Sequence, residues 1–496
     1  MNADLRALRE RLAETSDLRK TLMVLVWDQR VTMPPGGAEA RANALATLGR
    51  LEHERFVDDE LGRVLERLRP YEESLEYDSD DASLIRVVRR DWEKARREPS
   101  ELRAERLRSA SLAHAVWVEA RATNDFALFL PALERNFDLR KRYAACFEWE
   151  DSPYTPLLDD FEPFMTTTEV AAIFDVVGPA LAEIVREAPR IEAPFLDRPF
   201  AADGQRAFAE RVASTVGLEE GSWRLDTSPH PFCISFSRRD VRMTTRFMET
   251  GLRALWSTLH ESGHALYAHG IAPSLERTPL SGSPSLGLNE SQSRTWENLV
   301  GRSRPFWMHW YEPLQSRFPD QLGDVGFDAF MASVNRVQPT VLRSQADETT
   351  YGVHIILRFE LERQLLEESL APRDLPEAWN AGMRELLGVE VPDDAQGVLQ
   401  DTHWANGQIG YFPTYALGNL ISLQIWAVVR DAIPDLDAQI EAGELLELSR
   451  WLRDNLYSLG RKLTPRETIE RLTGSPEIDP QPFLAYLREK AAALAA

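Results

Sequence analysis

The stretch STLHESGHALYAHG, residues 257–270, holds three of the chain's nine histidines within ten positions. His260, Glu261 and His264 spell H-E-x-x-H. On a helix, two imidazoles one turn apart can hold a single divalent metal ion, and the glutamate between them can act on a water at that ion. At about 100° per residue the two imidazoles fall about 40° apart, along the edge of an apolar stripe formed by Leu252, Leu255, Trp256, Leu259, Leu266 and Tyr267. That placement directs them at the wall of a cleft. The competing reading is an accidental match on a helical surface. His269 falls outside the spacing and reads as a surface or supporting residue.

A catalytic metal of this type takes three protein ligands and leaves a fourth position for water. Downstream, LGLNESQSRTWENLVGRS (286–303) places Glu290 and Glu297 seven apart on one face of a predicted helix. Glu290, 26 positions beyond His264, leaves room for a turn and a second helix that packs on the first. Glu290 is the preferred third ligand, and Glu297 reads better as an ordinary salt-bridge partner.

Two kinds of element must position these residues. Helical periodicity, with apolar side chains three and four apart among Ala, Leu, Glu and Arg, predicts helices over 3–25, 38–70, 82–124, 127–147, 168–188 and 203–216. Pro34-Pro35, Pro99, Pro153, Pro156, Pro163 and Pro189 mark the joints, where a missing N–H is tolerated. The exception is HPFCISFSRRDVRMTTRF (230–247). It alternates polarity around the break SRRD and predicts a short β-hairpin just before the histidine helix. Gly263 inside that helix costs about 1 kcal/mol relative to alanine, which suggests that another backbone approaches it closely, and Gly270 suits its C-terminal end. There is no fixed-period repeat and no long linker, so the 496 residues read as one mainly α-helical body. Within it, about 1–200 would be a helical part and about 201–496 the part that carries the chemistry.

Composition narrows the function classes. A formal charge of −22 argues against nucleic acid and anionic membranes as partners, because counterion release rewards basic surfaces. The longest apolar run, TLMVLVW (21–27), is far too short to span a bilayer. Two cysteines, Cys146 and Cys233, supply neither a disulfide framework nor a thiolate metal motif, and the N-terminus has no apolar signal core. A soluble cytoplasmic protein is the expectation.

Several further stretches occur in a fixed order: WDQRVTMPPGG (27–37), HPF (230–232), DVRMT (240–244), HESGH, NESQS (289–293), VGRSRPFW (300–307), LRSQAD (342–347), GVLQDTHW (397–404) and GYFPTYALGN (410–419). Together they resemble the carboxypeptidase Taq family of zinc metallopeptidases. The resemblance implies a helical zincin fold with a deep groove for unfolded peptides and a homodimer. It implies a metal-dependent carboxypeptidase with Glu290 as the third ligand, and zinc, or cobalt or manganese in its place, as the metal. One departure stands out: the family pattern around that ligand usually reads H-E-S, and here Asn289 replaces the histidine. An amide hydrogen-bonds but does not titrate.

Continued as a helix through ETTYGVHIILRFELE, the LRSQAD segment would align Arg343, Asp347, Tyr351, His354 and Arg358 on one polar stripe of an otherwise apolar cylinder. That stripe is either an internal ion-pair network or a cleft lining. An exopeptidase must recognise a free carboxylate, which a guanidinium does with two parallel hydrogen bonds, and Arg343 is the expected clamp. His230, Arg242, His403, Tyr411 and Tyr415 lie in the matched stretches and are candidate donors to substrate. Trp27, Asp28 and the Pro34-Pro35 pair read as structural. The expected chemistry is water attack on a C-terminal peptide bond, with Glu261 as general base. The alternatives are an oligopeptidase or endopeptidase with the same metal site, or a non-catalytic helical scaffold.

Overall fold

Residues 2–495 are described by a computed structural model. Helices Ala3–Val31, Ala38–Phe56, Asp59–Glu73, Asp80–Arg97, Ser100–Thr123, Phe126–Ala144, Thr167–Glu187 and Ala202–Ala213 make up the first part of the chain. Two of the long helices expected from periodicity are each divided. The segment expected over 38–70 breaks at Asp58, whose carboxylate accepts the Glu60 N–H and starts a new helix. The one expected over 82–124 breaks at Pro99, which holds Glu98 in an extended conformation.

The hairpin is present as β2 (Cys233–Ser237) and β3 (Asp240–Thr245), paired antiparallel with an irregularity between Ser235 and Ser237. An additional strand, β1 (Trp223–Thr227), joins β3 in parallel and makes the sheet order β1-β3-β2. Its five residues are too few to establish a period, and its pairing depends on a partner distant in sequence.

The sheet lies against the helix Arg253–Gly270, which carries the H-E-x-x-H residues. Thr245 Oγ1 donates to the Ala254 carbonyl and Ser262 Oγ reaches Met243 Sδ. On its other side packs the helix Leu286–Arg294, which carries Glu290 and continues through a wider π turn over Thr295–Val300. The helix Pro413–Ala432 covers that glutamate helix in turn. A single apolar cluster runs from Leu5 to Leu487 and includes side chains from both parts of the chain. Among the described residues no single helix is long and apolar enough to cross a membrane.

Two glycines set the spacing of this stack. A Cβ at Gly263 would lie 2.4 Å from the Gln292 carbonyl oxygen and 2.6 Å from Ser293 Cα, so the histidine and glutamate helices touch backbone to backbone there. A Cβ at Gly418 would lie 2.6 Å from Glu290 Cγ. The glutamate helix is thus held between two faces that have no side chain at the contact.

Candidate metal centre

His260 Nε2 lies 3.7 Å from Glu290 Oε2 and His264 Nε2 lies 3.6 Å from the same oxygen. One ligand atom from each of the three residues falls within 4.8 Å of the others. Four-coordinate zinc with bonds of about 2.0–2.2 Å sets its ligand atoms about 3.4 Å apart. The two histidine–glutamate separations exceed that by only a few tenths of an ångström, and the donor types are those a divalent ion takes. Those separations are also too long for direct hydrogen bonds, so the three groups converge on a common point without satisfying one another.

The surroundings orient two of the donors. His260 Nδ1 is 2.8 Å from Glu297 Oε2, which fixes the tautomer that carries its proton on Nδ1 and turns the Nε2 lone pair inward. Arg294 lies four residues after Glu290 and three before Glu297 and bonds both carboxylates, at 2.7 Å and 3.1 Å. Burial alone would raise the Glu290 pKa, but Arg294 and the two imidazoles outweigh it and hold the carboxyl below its ordinary range. Glu297 is pulled down to about 2 against its burial, by Arg294 and His260. Burial, followed by the His260 charge, lowers His264 to about 4, which keeps its imidazole neutral and able to ligate. Glu261 is buried with Oε2 unpartnered, and burial pushes its pKa up to about 8.

A cleft of about 970 Å³ opens above these groups. Its floor includes His260, Glu261, His264, Glu290, Tyr411 and Tyr415. Asn289, where the family pattern has histidine, also lines it, beside Glu290. The opposite wall comes from the first two helices, through residues such as Lys20, Met23 and Phe56, and from the edge strand β2. Sequence periodicity had no means to assign those N-terminal helices to the site, because the contact joins segments more than two hundred residues apart.

The other candidates fall into two groups. Arg343 and His403 lie next to Tyr415, which lines the cleft: the Arg343 guanidinium is 5.3 Å from that ring, and His403 Nε2 is 3.3 Å from its hydroxyl. His403 is lowered to about 3 by burial, against the pull of Asp401, and is neutral. His230 and Arg242 are not brought to the metal donors. His230 is exposed on the loop between β1 and β2, yet close enough to Arg343 and His403 for their charges to act on one another. Arg242 forms a two-bond ion pair with Asp240 and lies over the Trp27 ring. Trp27 itself is buried, and Asp28 pairs with Arg41, in keeping with structural roles. His269 Nδ1 donates to the Arg238 carbonyl at 2.8 Å.

The LRSQAD segment does not continue as one helix. Arg343–Gln345 is a separate 3-10 turn and the helix proper is Glu348–Leu366. Asp347 is its N-cap, accepting the Thr349 and Thr350 N–H groups at 2.8 and 3.0 Å in a reciprocal arrangement with Thr350. Its carboxylate therefore serves the helix start and takes no part in an arginine stripe. Arg343 nonetheless meets Arg358 in space, because both bind Asp401: Arg343 Nη2 and Arg358 Nε each lie 2.7 Å from it. Tyr351 belongs to the polar stripe expected from helical spacing, whereas Asp401 and Arg294 carry no individual role in the sequence pattern. Asp401 stands in GVLQDTHW and Arg294 at helical spacing from both glutamates, and those were the only signals available.

A helical body with a small sheet, an H-E-x-x-H helix and a remote glutamate that completes the donor set define a metallopeptidase. Comparison with known proteins makes the class specific. The family model for carboxypeptidase Taq (M32) metallopeptidase matches residues 7–491, and the chain belongs to that family; it is a metallocarboxypeptidase. It is 39% identical over 495 residues to thermostable carboxypeptidase 1 of Thermus thermophilus, covering 97% of each chain. It is 31% identical to carboxypeptidase 1 of Bacillus subtilis, covering 97% of this chain and 96% of the relative. Among solved structures, the M32 carboxypeptidase from Deinococcus radiodurans R1 superposes with a TM-score of 0.95 at 39% identity, over 99% of both chains. Trypanosoma cruzi metallocarboxypeptidase 1 gives 0.93 at 30% identity, over 98% of this chain and 99% of that one.

Proposed function

We propose that this enzyme removes single amino acids from the C-termini of peptides with broad specificity, using zinc held by His260, His264 and Glu290. The observation that carries the reading is the convergence of two imidazole nitrogens and one carboxylate oxygen at the floor of a peptide-sized cleft. Zinc bound there would act as a Lewis acid toward the scissile carbonyl and would acidify a water molecule. Cobalt or manganese could occupy the same donors.

The chain's own residues perform the proton transfers and the positioning. Beside a bound divalent cation the ionised form of Glu261 would be favoured against the burial that raises its pKa, and Glu261, adjacent to His260 but with a free buried oxygen, then takes the proton of the attacking water and delivers it to the leaving amine. Glu297 keeps the His260 ring in one tautomer throughout. Tyr411 and Tyr415 line the floor, and their hydroxyls, held protonated by burial, would donate to an oxyanion.

Recognition of the free C-terminus rests on Arg343. Two guanidinium groups, Arg343 and Arg358, share the single carboxylate of Asp401, which leaves an excess positive charge beside Tyr415. Arg343 uses three of its five N–H groups on Asp401 and Tyr351. Two remain for a substrate carboxylate. Bulk substrate selection would then depend on the terminus and little on the side chain, in keeping with broad specificity.

A cytoplasmic homodimer completes the proposal. The family resemblance supports the dimer and the two unpaired cysteines support a reducing compartment. Light scattering and cell fractionation test those two points. The catalytic reading is tested by digesting a peptide ladder, as free acids and as C-terminal amides, with and without chelator. Chelator-sensitive, stepwise loss of single residues from free acids alone is the expected result. Internal fragments, or equal cleavage of amides, would refute it.

A further inference from the structure

The two oxygens of Glu290 have different partners. Oε2 faces His260 and His264. Oε1 accepts a hydrogen bond from Arg294 Nε at 2.8 Å, and Nη2 stands in ion-pair contact with the same oxygen at 2.7 Å, so one edge of the guanidinium is committed to a single carboxylate oxygen. The other prong, Nη1, reaches Glu297 Oε2 at 3.1 Å, the atom that also binds His260 Nδ1. Arg294 is itself fixed: it is buried, and its guanidinium lies 4.5 Å over the Tyr351 ring, whose hydroxyl takes an Arg343 N–H at 2.9 Å.

We propose that Arg294 is a positioning residue that confines Glu290 to metal ligation through Oε2 alone. The inference rests on the donor assignment above and deepens it. A carboxylate that is free to rotate about its last bond can bind with both oxygens and raise the coordination number. With Oε1 held by the Nε hydrogen bond and the Nη2 ion-pair contact, that rotation would break a charge-assisted bond, stronger than a neutral hydrogen bond, and separate an ion pair inside a buried site. The fourth coordination position therefore stays available for water and substrate. The same cation also offsets the second carboxylate, Glu297, so two acidic groups can flank one imidazole pair without repelling each other.

The test uses the metal-free full-length enzyme titrated with Co²⁺ alone, with affinity and the visible absorption spectrum as readouts. Arg294→Met removes charge and fork, and Arg294→Lys keeps the charge but loses the fork. The parent is expected to give the intense band of a four-coordinate site. Arg294→Met is expected to bind Co²⁺ about 10–100-fold more weakly, as for removal of a group that orients a ligand, and to show the weaker spectrum of a higher coordination number. Arg294→Lys should recover affinity but not the spectrum. Folded variants with the parent's affinity and spectrum would overturn the proposal while leaving the donor assignment intact. If neither variant folds, a crystal structure of the Co²⁺-loaded parent decides: Glu290 bound through one oxygen supports the proposal and through both overturns it. A parent that takes up no Co²⁺, or takes it up equally well as His264→Ala, would instead overturn the donor assignment and this inference with it.

Discussion

Gly263→Ala probes the contact on which the whole site depends. The new Cβ would meet the Gln292 carbonyl oxygen at 2.4 Å, Ser293 Cα at 2.6 Å and the Gln292 carbonyl carbon at 2.7 Å. All three are backbone atoms and none can rotate aside. Ordinary contact begins near 3.4 Å, so the histidine and glutamate helices must part by roughly 1 Å. Overpacking of this kind costs about 1–3 kcal/mol, and rigid neighbours put it at the upper end. Alanine returns about 1 kcal/mol of helix propensity, leaving a net loss of about 2 kcal/mol. For a chain of this length, whose unfolding entropy at about 2.1 cal/mol/K per residue sums to about 1 kcal/mol/K, that is only about 2 °C in Tm. The effect on chemistry is larger, because Gln292 and Ser293 follow Glu290 within one turn of the same helix and the parting carries the carboxylate away from both imidazoles. A 1 Å misplacement costs about a hundredfold in rate. Differential scanning calorimetry with and without metal, together with kcat/KM on a free-acid peptide, should therefore show a folded enzyme with a small Tm loss and a large activity loss. A variant with the parent's activity and metal affinity would show that the helix spacing does not set the donor geometry.

Glu261→Gln should keep its metal and fold and lose at least about a hundredfold in turnover, the lower range for loss of a general base; loss of metal from this variant would mean that Glu261 is itself a ligand. Arg343→Lys and then Arg343→Ala should lower kcat/KM on free-acid peptides in that order, the latter by about one to two decades or more, with discrimination against amides narrowing in step; undiminished cleavage by the alanine variant would leave the arginine pair as an internal network only. Glu362 is fully buried and accepts from Trp404, Tyr154 and Gly410, and burial raises its pKa to about 7. Its folded pKa lies above the unfolded value of about 4.3, so its contribution is complete below about pH 4.3 and is lost as pH rises toward 7. Relative to Glu362→Gln, the parent should lose on the order of 3 kcal/mol between pH 4.5 and 7.5 in chemical denaturation; parallel curves for the two proteins would refute that assignment.

What the sequence determined by itself is local. H-E-x-x-H at helical spacing, the hairpin before it, Glu290 downstream and Gly263 as a site of close approach were all legible, because each rests on the pitch of one helix, the alternation of one strand or the missing Cβ of one residue. The resemblance in ordered short motifs added the family. The helix boundaries at Asp58 and Asp347 were less legible, since a capping carboxylate competes with a periodicity that runs straight through it. Tertiary structure alone decided which polar groups meet. Glu297 reads from sequence as a metal ligand or an ordinary salt bridge, and only the packing of the two helices brings it 2.8 Å from His260 Nδ1. Arg242 lies in a matched motif like Tyr415, yet one is spent on Asp240 while the other lines the cleft. Arg343 and Arg358 were placed on one helical stripe, but they meet through Asp401, some fifty residues away in sequence, across a helix break. Spacing along a helix says which side chains share a face. Only the packing of that face against another shows whether a charge finds water, a substrate or a buried partner, because that outcome depends on desolvation and on groups that no local pattern contains.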